Sequence, residues 1–95
     1  KLKYNLPADK EKFFRLVVEN MLKLKKAGLV HADLSEYNIL NDNDKPVFID
    51  FSQTSPLRDP NYASYLIRDI HNVVKYFNKI GVKISEEKLK EELQG

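Results

Sequence analysis

His31-Ala32-Asp33-Leu34-Ser35-Glu36-Tyr37-Asn38, followed across a turn-rich stretch by Ile49-Asp50-Phe51-Ser52, is the part of the chain that decides the fold. An Asp and an Asn stand five residues apart in a polar segment, and a further Asp follows a β-prone run. Between them lie Ile39-Leu40, then Asn41-Asp42-Asn43-Asp44-Lys45-Pro46, then Val47-Phe48-Ile49. Two short apolar runs around Asn, Asp and Pro read as a hairpin over about 39–49, because those turn residues stabilise bent backbone. Antiparallel pairing then brings Asn38, before the first strand, near Asp50, after the second. A calcium loop around Asp42 and Asp44 is rejected, since the Gly it needs is absent and Gln53 stands where a bidentate Glu is required.

Upstream, Asp9 can cap a helix over about 9–27 in which Phe14, Val17, Val18, Met21 and Leu24 recur at three- and four-residue spacing. Lys23, Lys25 and Lys26 close it before Ala27-Gly28 and complement the helix dipole, so the lysines need no nucleic-acid explanation. Downstream, Asp59-Pro60 reads as an N-cap and first helical residue, opening a long helix over about 60–79 that closes at Gly81. Its stripe is Tyr62, Leu66, Asp69, Val73 and Phe77. A carboxylate in an apolar stripe must find donors, because burying it unpaired costs several kcal/mol. Tyr62, Tyr65 and Tyr76 are expected in the core or at the rim of that helix, and His71 on its surface or in packing. Ser85 caps a last short helix over about 86–94 with only Leu89 and Leu93 as apolar seam, which reads as peripheral.

Composition narrows the function classes. Ninety-five residues, 42% hydrophobic and 32% charged, suit a single small domain over residues 1–95. Sixteen Lys and Arg against fourteen Asp and Glu leave +2, too balanced to argue for DNA or an anionic membrane. No Cys removes disulfides, thiolate metal sites and Cys nucleophiles, and fits a reducing compartment such as the cytoplasm. No apolar run approaches the roughly 20 residues of a bilayer span. The only glycines are Gly28, Gly81 and Gly95, so no Gly-rich phosphate cradle can form.

Phosphoryl transfer needs one carboxylate to orient or deprotonate the attacking oxygen, and hard oxygen ligands to hold magnesium against the phosphates. Asp33, Asn38 and Asp50 supply those parts in that order. The pattern resembles the protein-kinase-like fold, whose catalytic loop reads H-R-D-x-x-x-x-N and whose metal Asp follows a hairpin. Within it, Leu29-Val30-His31-Ala32-Asp33-Leu34-Ser35-Glu36-Tyr37-Asn38-Ile39-Leu40 and Ile49-Asp50-Phe51-Ser52-Gln53 resemble the RIO family of atypical kinases, in wording most like the first RIO subfamily. Ala32 stands where ordinary protein kinases carry Arg, and Ser52 where they carry Gly, departures that support the RIO resemblance; the missing Arg also argues against activation-loop control.

The resemblance implies an α+β, mainly helical fold: the carboxy-terminal lobe of a kinase-like domain with one small hairpin. It implies that Asp33 is catalytic and that Asn38 and Asp50 bind ATP-bound Mg2+, with Mn2+ as the alternative ion. Asp50 also matches the residue phosphorylated in members that hydrolyse ATP through an aspartyl-phosphate, and the sequence does not choose between that output and serine phosphorylation. Structural roles fall to His31 and to Asp69, whose place in Arg68-Asp69-Ile70 matches an Asp that accepts catalytic-loop N–H groups. The implied partners are ATP and the precursor of the small ribosomal subunit or its proteins. The amino-terminal lobe, with its nucleotide-covering loop, Lys and Glu, is missing, so the chain alone is expected to be nearly inactive. A small-molecule phosphotransferase of the aminoglycoside or choline kinase type, a non-catalytic lobe and a ribosome- or RNA-binding module remain open.

Overall fold

The computed structural model describes residues 1–94. Its order is a 3-10 turn Leu2–Tyr4, helix α1 Lys10–Lys26, strands β1 Leu29–Val30, β2 Ile39–Asp42, β3 Lys45–Phe48 and β4 Ser55–Pro56, then helices α2 Tyr62–Lys79 and α3 Glu86–Gln94. Asp9 accepts the Lys12 N–H at 3.1 Å, which satisfies one of the orphan donors that start α1. At the other end Gly28 takes φ +76°, a left-handed value that glycine adopts without steric cost. The chain therefore turns sharply from α1 into β1.

Strands β2 and β3 pair antiparallel with Ile39 opposite Phe48 and Asp42 opposite Lys45. Asn43 and Asp44, at φ 50° and 63°, make the two-residue turn. Both residues left-handed is the primed type I turn that matches strand twist. The Asp44 carboxylate, set aside above as a calcium ligand, accepts the N–H groups of Ala8 and Asp9 at 3.1 Å each and so ties the start of α1 to the hairpin. The hairpin is joined by a second ladder, in which Leu29 pairs with Pro56 and Val30 with Ser55. Two-residue strands carry no readable alternation, so the sequence held no sign of it.

Long helix α2 begins two residues later than Pro60. Asp59 Oδ1 does accept the Asn61 N–H at 2.8 Å, but Asn61 has ψ 5°, away from helical values, and acts as the N-cap. The Asp59 bond closes a turn ahead of the helix instead of its first turn. Its far end is a Schellman motif: Val82 N–H donates to Phe77 O at 2.9 Å and Gly81 N–H to Asn78 O at 3.2 Å, with Gly81 at φ +103°. Tyr62, Leu66, Asp69, Val73 and Phe77 are all buried, and so are Ile70, Val74 and Tyr76, which widens the apolar face beyond one stripe.

The core lies where α1 and α2 meet. Phe77 packs against Phe13 and Phe14 with ring centroids 6.3 and 5.2 Å away, separations at which aromatic pairs add to simple area burial. The peripheral reading of α3 is corrected: Leu89 and Leu93 are 3% and 0% exposed and belong to the same core. The turn after Gly81, with Val82 buried and Ile84 packed against the core, folds α3 back across α1 and α2. Two leucines suffice because they enter a groove whose other walls exist already.

Candidate functional site: an acidic loop braced by a helix

Residues 31–38 run from β1 to β2 across the face of α2. His31, Ala32 and Leu34 are 1%, 1% and 0% exposed, while the Asp33 side chain between them is exposed. Residues 31, 32 and 34 are the inward anchors, and Asp33 is left facing solvent. Ala32 has φ 74°, a left-handed value that costs a residue with a Cβ roughly 1 kcal/mol and persists only where surroundings impose it.

The surroundings are polar groups from α2 and from the loop itself. Asp69 Oδ2 accepts the Ala32 N–H at 2.9 Å and Oδ1 accepts the Leu34 N–H at 3.0 Å. Arg68, the residue before it, donates from Nη2 to the Ala32 carbonyl. Asn72, one turn on, donates to the Leu34 carbonyl at 3.3 Å. At 1% exposure, burial pushes the Asp69 carboxyl above its ordinary value, opposed by the two backbone N–H groups of Leu34 and Ala32.

His31 links the two acidic segments. The Asp33 N–H donates to its Nδ1 at 3.2 Å, so these partners put the ring proton on Nε2, which donates to the Ile49 carbonyl at 2.7 Å. Both ring nitrogens are thus occupied, one by the loop carrying Asp33 and one by the residue before Asp50. The ring also lies 5.0 Å from Phe51 and 6.3 Å from Phe48.

Asn38 Nδ2 donates to the Asp33 carbonyl at 2.7 Å and approaches its carboxylate Oδ2 at 3.4 Å. With the amide nitrogen engaged there, Asn38 Oδ1 is the atom left for a cation. The Asn38 carbonyl accepts the Ile49 N–H at 2.9 Å. The ladder register therefore sets Asn38 beside Ile49, with Asp50 one residue beyond.

Asp50 itself has φ 60° and an exposed side chain, whose Oδ1 accepts from the Ser52 hydroxyl at 2.8 Å. No group of three His, Asp or Glu side chains converges to hold a metal among the described residues. Asn38 Oδ1 and the Asp50 carboxylate are hard oxygens of the kind magnesium takes when it keeps most of its waters.

Other residues singled out from the sequence lie apart from this loop. His71 is on the exposed face of α2 and bonds Glu86 of α3 at 3.0 Å. That bond is the first cause of the lowered Glu86 carboxyl. Tyr62 and Tyr76 are buried, donating to the Leu29 carbonyl at 3.1 Å and the Leu2 carbonyl at 3.4 Å, and burial raises both phenols. Tyr65 is half-buried under the Arg68 guanidinium. Arg68 and Asn72 were not singled out as site residues, and their spacing around Asp69 on one helix was the available signal.

No helix of the described residues is long and apolar enough to cross a membrane. The family model described as RIO domain matches residues 1–90. The chain is 49% identical over 80 residues to the RIO-type serine/threonine-protein kinase Rio1 of Methanocaldococcus jannaschii, covering 83% of this chain and 28% of that protein. It is 46% identical over 77 residues to the serine/threonine-protein kinase RIO1 of Saccharomyces cerevisiae, covering 81% of this chain and 16% of that one. Among solved structures, the Rio2 kinase from Chaetomium thermophilum, in a complex described as ADP/Mg2+-phosphoaspartate, superposes with a TM-score of 0.73 at 23% identity, over 92% of this chain and 31% of that one. The chain thus spans well under half the length of these relatives, and its fold is kinase-like. On the family match and the 49% identity to the archaeal relative, the chain belongs to the RIO domain family.

Proposed function

We propose that this chain is the catalytic-loop and metal-binding half of an ATP-dependent serine/threonine protein kinase of the RIO type. The observation that carries the reading is the exposed Asp33 carboxylate on a backbone whose neighbouring N–H and C=O groups are all engaged. Positioning and electrostatics supply most of the catalysis in phosphoryl transfer, so a rigid base is what the reaction asks of a protein. Asp33 orients or deprotonates the acceptor hydroxyl. Asn38 Oδ1 and the Asp50 carboxylate are the oxygens offered to magnesium, or to manganese in its place. When bound, ATP would supply the transferable phosphoryl group and its metal would offset the charge that develops on it. Asp69 and His31 brace the loop from beneath.

A second output has its own support. The fungal relative's described complex contains a phosphoaspartate, and Asp50 here presents a carboxylate with one oxygen on Ser52 and the other without a hydrogen-bond partner among the described residues. ATP hydrolysis through a phosphorylated Asp50 is the chemistry that arrangement serves.

The nucleotide-covering loop and its Lys–Glu pair belong to the rest of the whole protein, as the coverage of 28% of the archaeal relative suggests. The family resemblance supports a cytoplasmic protein whose partner is the maturing small ribosomal subunit. The loop wording, Ser35-Glu36-Tyr37 in particular, and the kinase names of the relatives favour this over a small-molecule phosphotransferase.

The test is an NMR titration of the chain with magnesium and then with magnesium and ATP. Magnesium alone should bind weakly, because the ion dehydrates reluctantly for so few protein oxygens. Adding ATP should shift the amides of Asp33, Asn38 and Asp50. Asp33→Asn in the whole protein should abolish turnover while leaving the nucleotide shifts at Asn38 and Asp50. Shifts confined to other surfaces at millimolar ligand would overturn the assignment.

A further inference from the structure

Asp69 and Arg68 are consecutive on α2 yet converge on one residue of the loop. Asp69, buried, takes the Ala32 N–H. Arg68, at the exposed rim, donates to the Ala32 carbonyl, and its guanidinium lies over the Tyr65 ring at 5.3 Å. An acceptor and a donor one residue apart thus hold both polar ends of a residue in left-handed conformation. We infer that Arg68 is a positioning residue that sets the direction of Asp33 through the Ala32 carbonyl, an inference that rests on the reading of Asp33 as the catalytic carboxylate.

The Ala32 carbonyl belongs to the Ala32–Asp33 peptide. That peptide's oxygen is held by Arg68 and its N–H by His31 Nδ1 at 3.2 Å. The following peptide has its oxygen held by Asn38 Nδ2 at 2.7 Å and its N–H by Asp69 Oδ1 at 3.0 Å. Asp33 Cα lies between two peptide planes, each bonded at both edges. Three of the four anchors come from buried or half-buried side chains. Arg68 is the exposed one, and stacking on Tyr65 is what pre-organises it.

Without Arg68 the Ala32–Asp33 peptide keeps only the 3.2 Å bond to His31 against rotation, and left-handed backbone is disfavoured for Ala. A rotated peptide withdraws the Asp33 N–H from His31 and swings the carboxylate. Leu34 stays on Asp69, so the loop as a whole remains seated. The defect is therefore local to Asp33.

The experiment compares Arg68→Ala and Arg68→Lys with the parent. In this chain, amide hydrogen exchange is followed at Ala32, Asp33 and Leu34. In the whole protein, kcat and the KM for ATP are measured. Arg68→Ala should speed exchange at Asp33 by about tenfold or more while Leu34 changes little. It should lower kcat by on the order of ten- to a hundredfold with the KM for ATP within about twofold, as misplacement of a reacting group does. Arg68→Lys should restore part of both, because an ammonium can still reach one carbonyl. An Asp33 amide as protected in Arg68→Ala as in the parent overturns the role of Arg68 whatever the activity. Loosened exchange at Asp33 with unchanged turnover overturns instead the catalytic reading of Asp33, and the positioning role falls with it.

Discussion

The two acidic segments that flank the hairpin are built in opposite ways. Residues 31–38 are held from outside, by Arg68, Asp69 and Asn72 of α2, and Asp69 sits 1% exposed beneath them. Residues 50–54 are held by themselves: Ser52 to Asp50, Thr54 N–H to the Phe51 carbonyl at 3.1 Å, Ser55 Oγ to the Gln53 carbonyl at 3.2 Å. Phe51 is 48% exposed, with only the His31 and Ile49 side of the segment anchored. A loop tied to a helix face shares the stability of the core, whereas a loop closed on itself opens without disturbing anything else. The first loop is pinned to the core, and the second rests mainly on its own bonds.

The largest effect expected follows from removing the tie. Asp69→Ala leaves the buried N–H groups of Ala32 and Leu34 without acceptors, at about 1–3 kcal/mol each. Thermal unfolding should show roughly 2–5 kcal/mol lost, with each kcal/mol moving Tm by about 4–8 °C in a domain of this size. A variant as stable as the parent, with unchanged amide shifts at 32–34, would mean that the first loop is as self-supporting as the second.

Acid sharpens the same contrast. Burial raises the Asp69 carboxyl in the folded state, so between its unfolded and folded values the native chain binds the extra proton. Its contribution is fully present below the unfolded value and is lost as pH rises through the folded one. Stability of the parent relative to Asp69→Asn should therefore grow as pH falls through the folded value. Parallel pH curves for the two proteins would refute it.

Hydrogen exchange compares the two loops directly. The amides of Ala32 and Leu34 should exchange at least about a hundredfold more slowly than those of Phe51, Ser52 and Gln53 once intrinsic rates are divided out. Equal protection would erase the distinction. Ser52→Ala should then change stability by no more than about 0.5 kcal/mol, because it touches only the self-closed segment. Its visible consequence should be a displaced Asp50 amide and side-chain carboxyl signal, with Asp33 unmoved.

The smallest effect lies outside both loops. The His71 hydrogen bond is the first cause that lowers the Glu86 carboxyl, at a half-buried site on the protein surface. A lowered carboxyl stabilises above its unfolded value and ceases to do so as pH falls through the folded one. His71→Ala should return Glu86 towards the ordinary carboxylate range in an NMR titration, with Tm barely changed.

Much of this was legible in the chain. The apolar recurrence from Phe14 to Met21 and from Tyr62 to Phe77 marked the long helices, and the Asn-Asp turn marked the hairpin, because period and turn chemistry are local properties. The order Asp33, Asn38, Asp50, Asp69 picked out residues that the fold gathers around one loop or its support. Asp69 in particular was identifiable from burial alone, as a carboxylate whose helix face obliges it to find donors. The pairing of Leu29-Val30 with Ser55-Pro56 and the burial of Leu2 at 0% exposure were not legible, since elements of two or three residues carry no period.

What the sequence determined by itself, then, is the set of elements and the residues with chemistry to offer, since each is written in spacing along a few turns of chain. Only the tertiary structure decided which polar groups meet. The left-handed backbone of Ala32 exists because Arg68 and Asp69, 36 and 37 positions downstream, are brought against it. The neutral tautomer of His31 is set by a carbonyl 18 residues away. The burial of α3 depends on a groove that α1 and α2 form first. Contacts between distant residues are closed by packing, and no local pattern can encode a partner that arrives from another element.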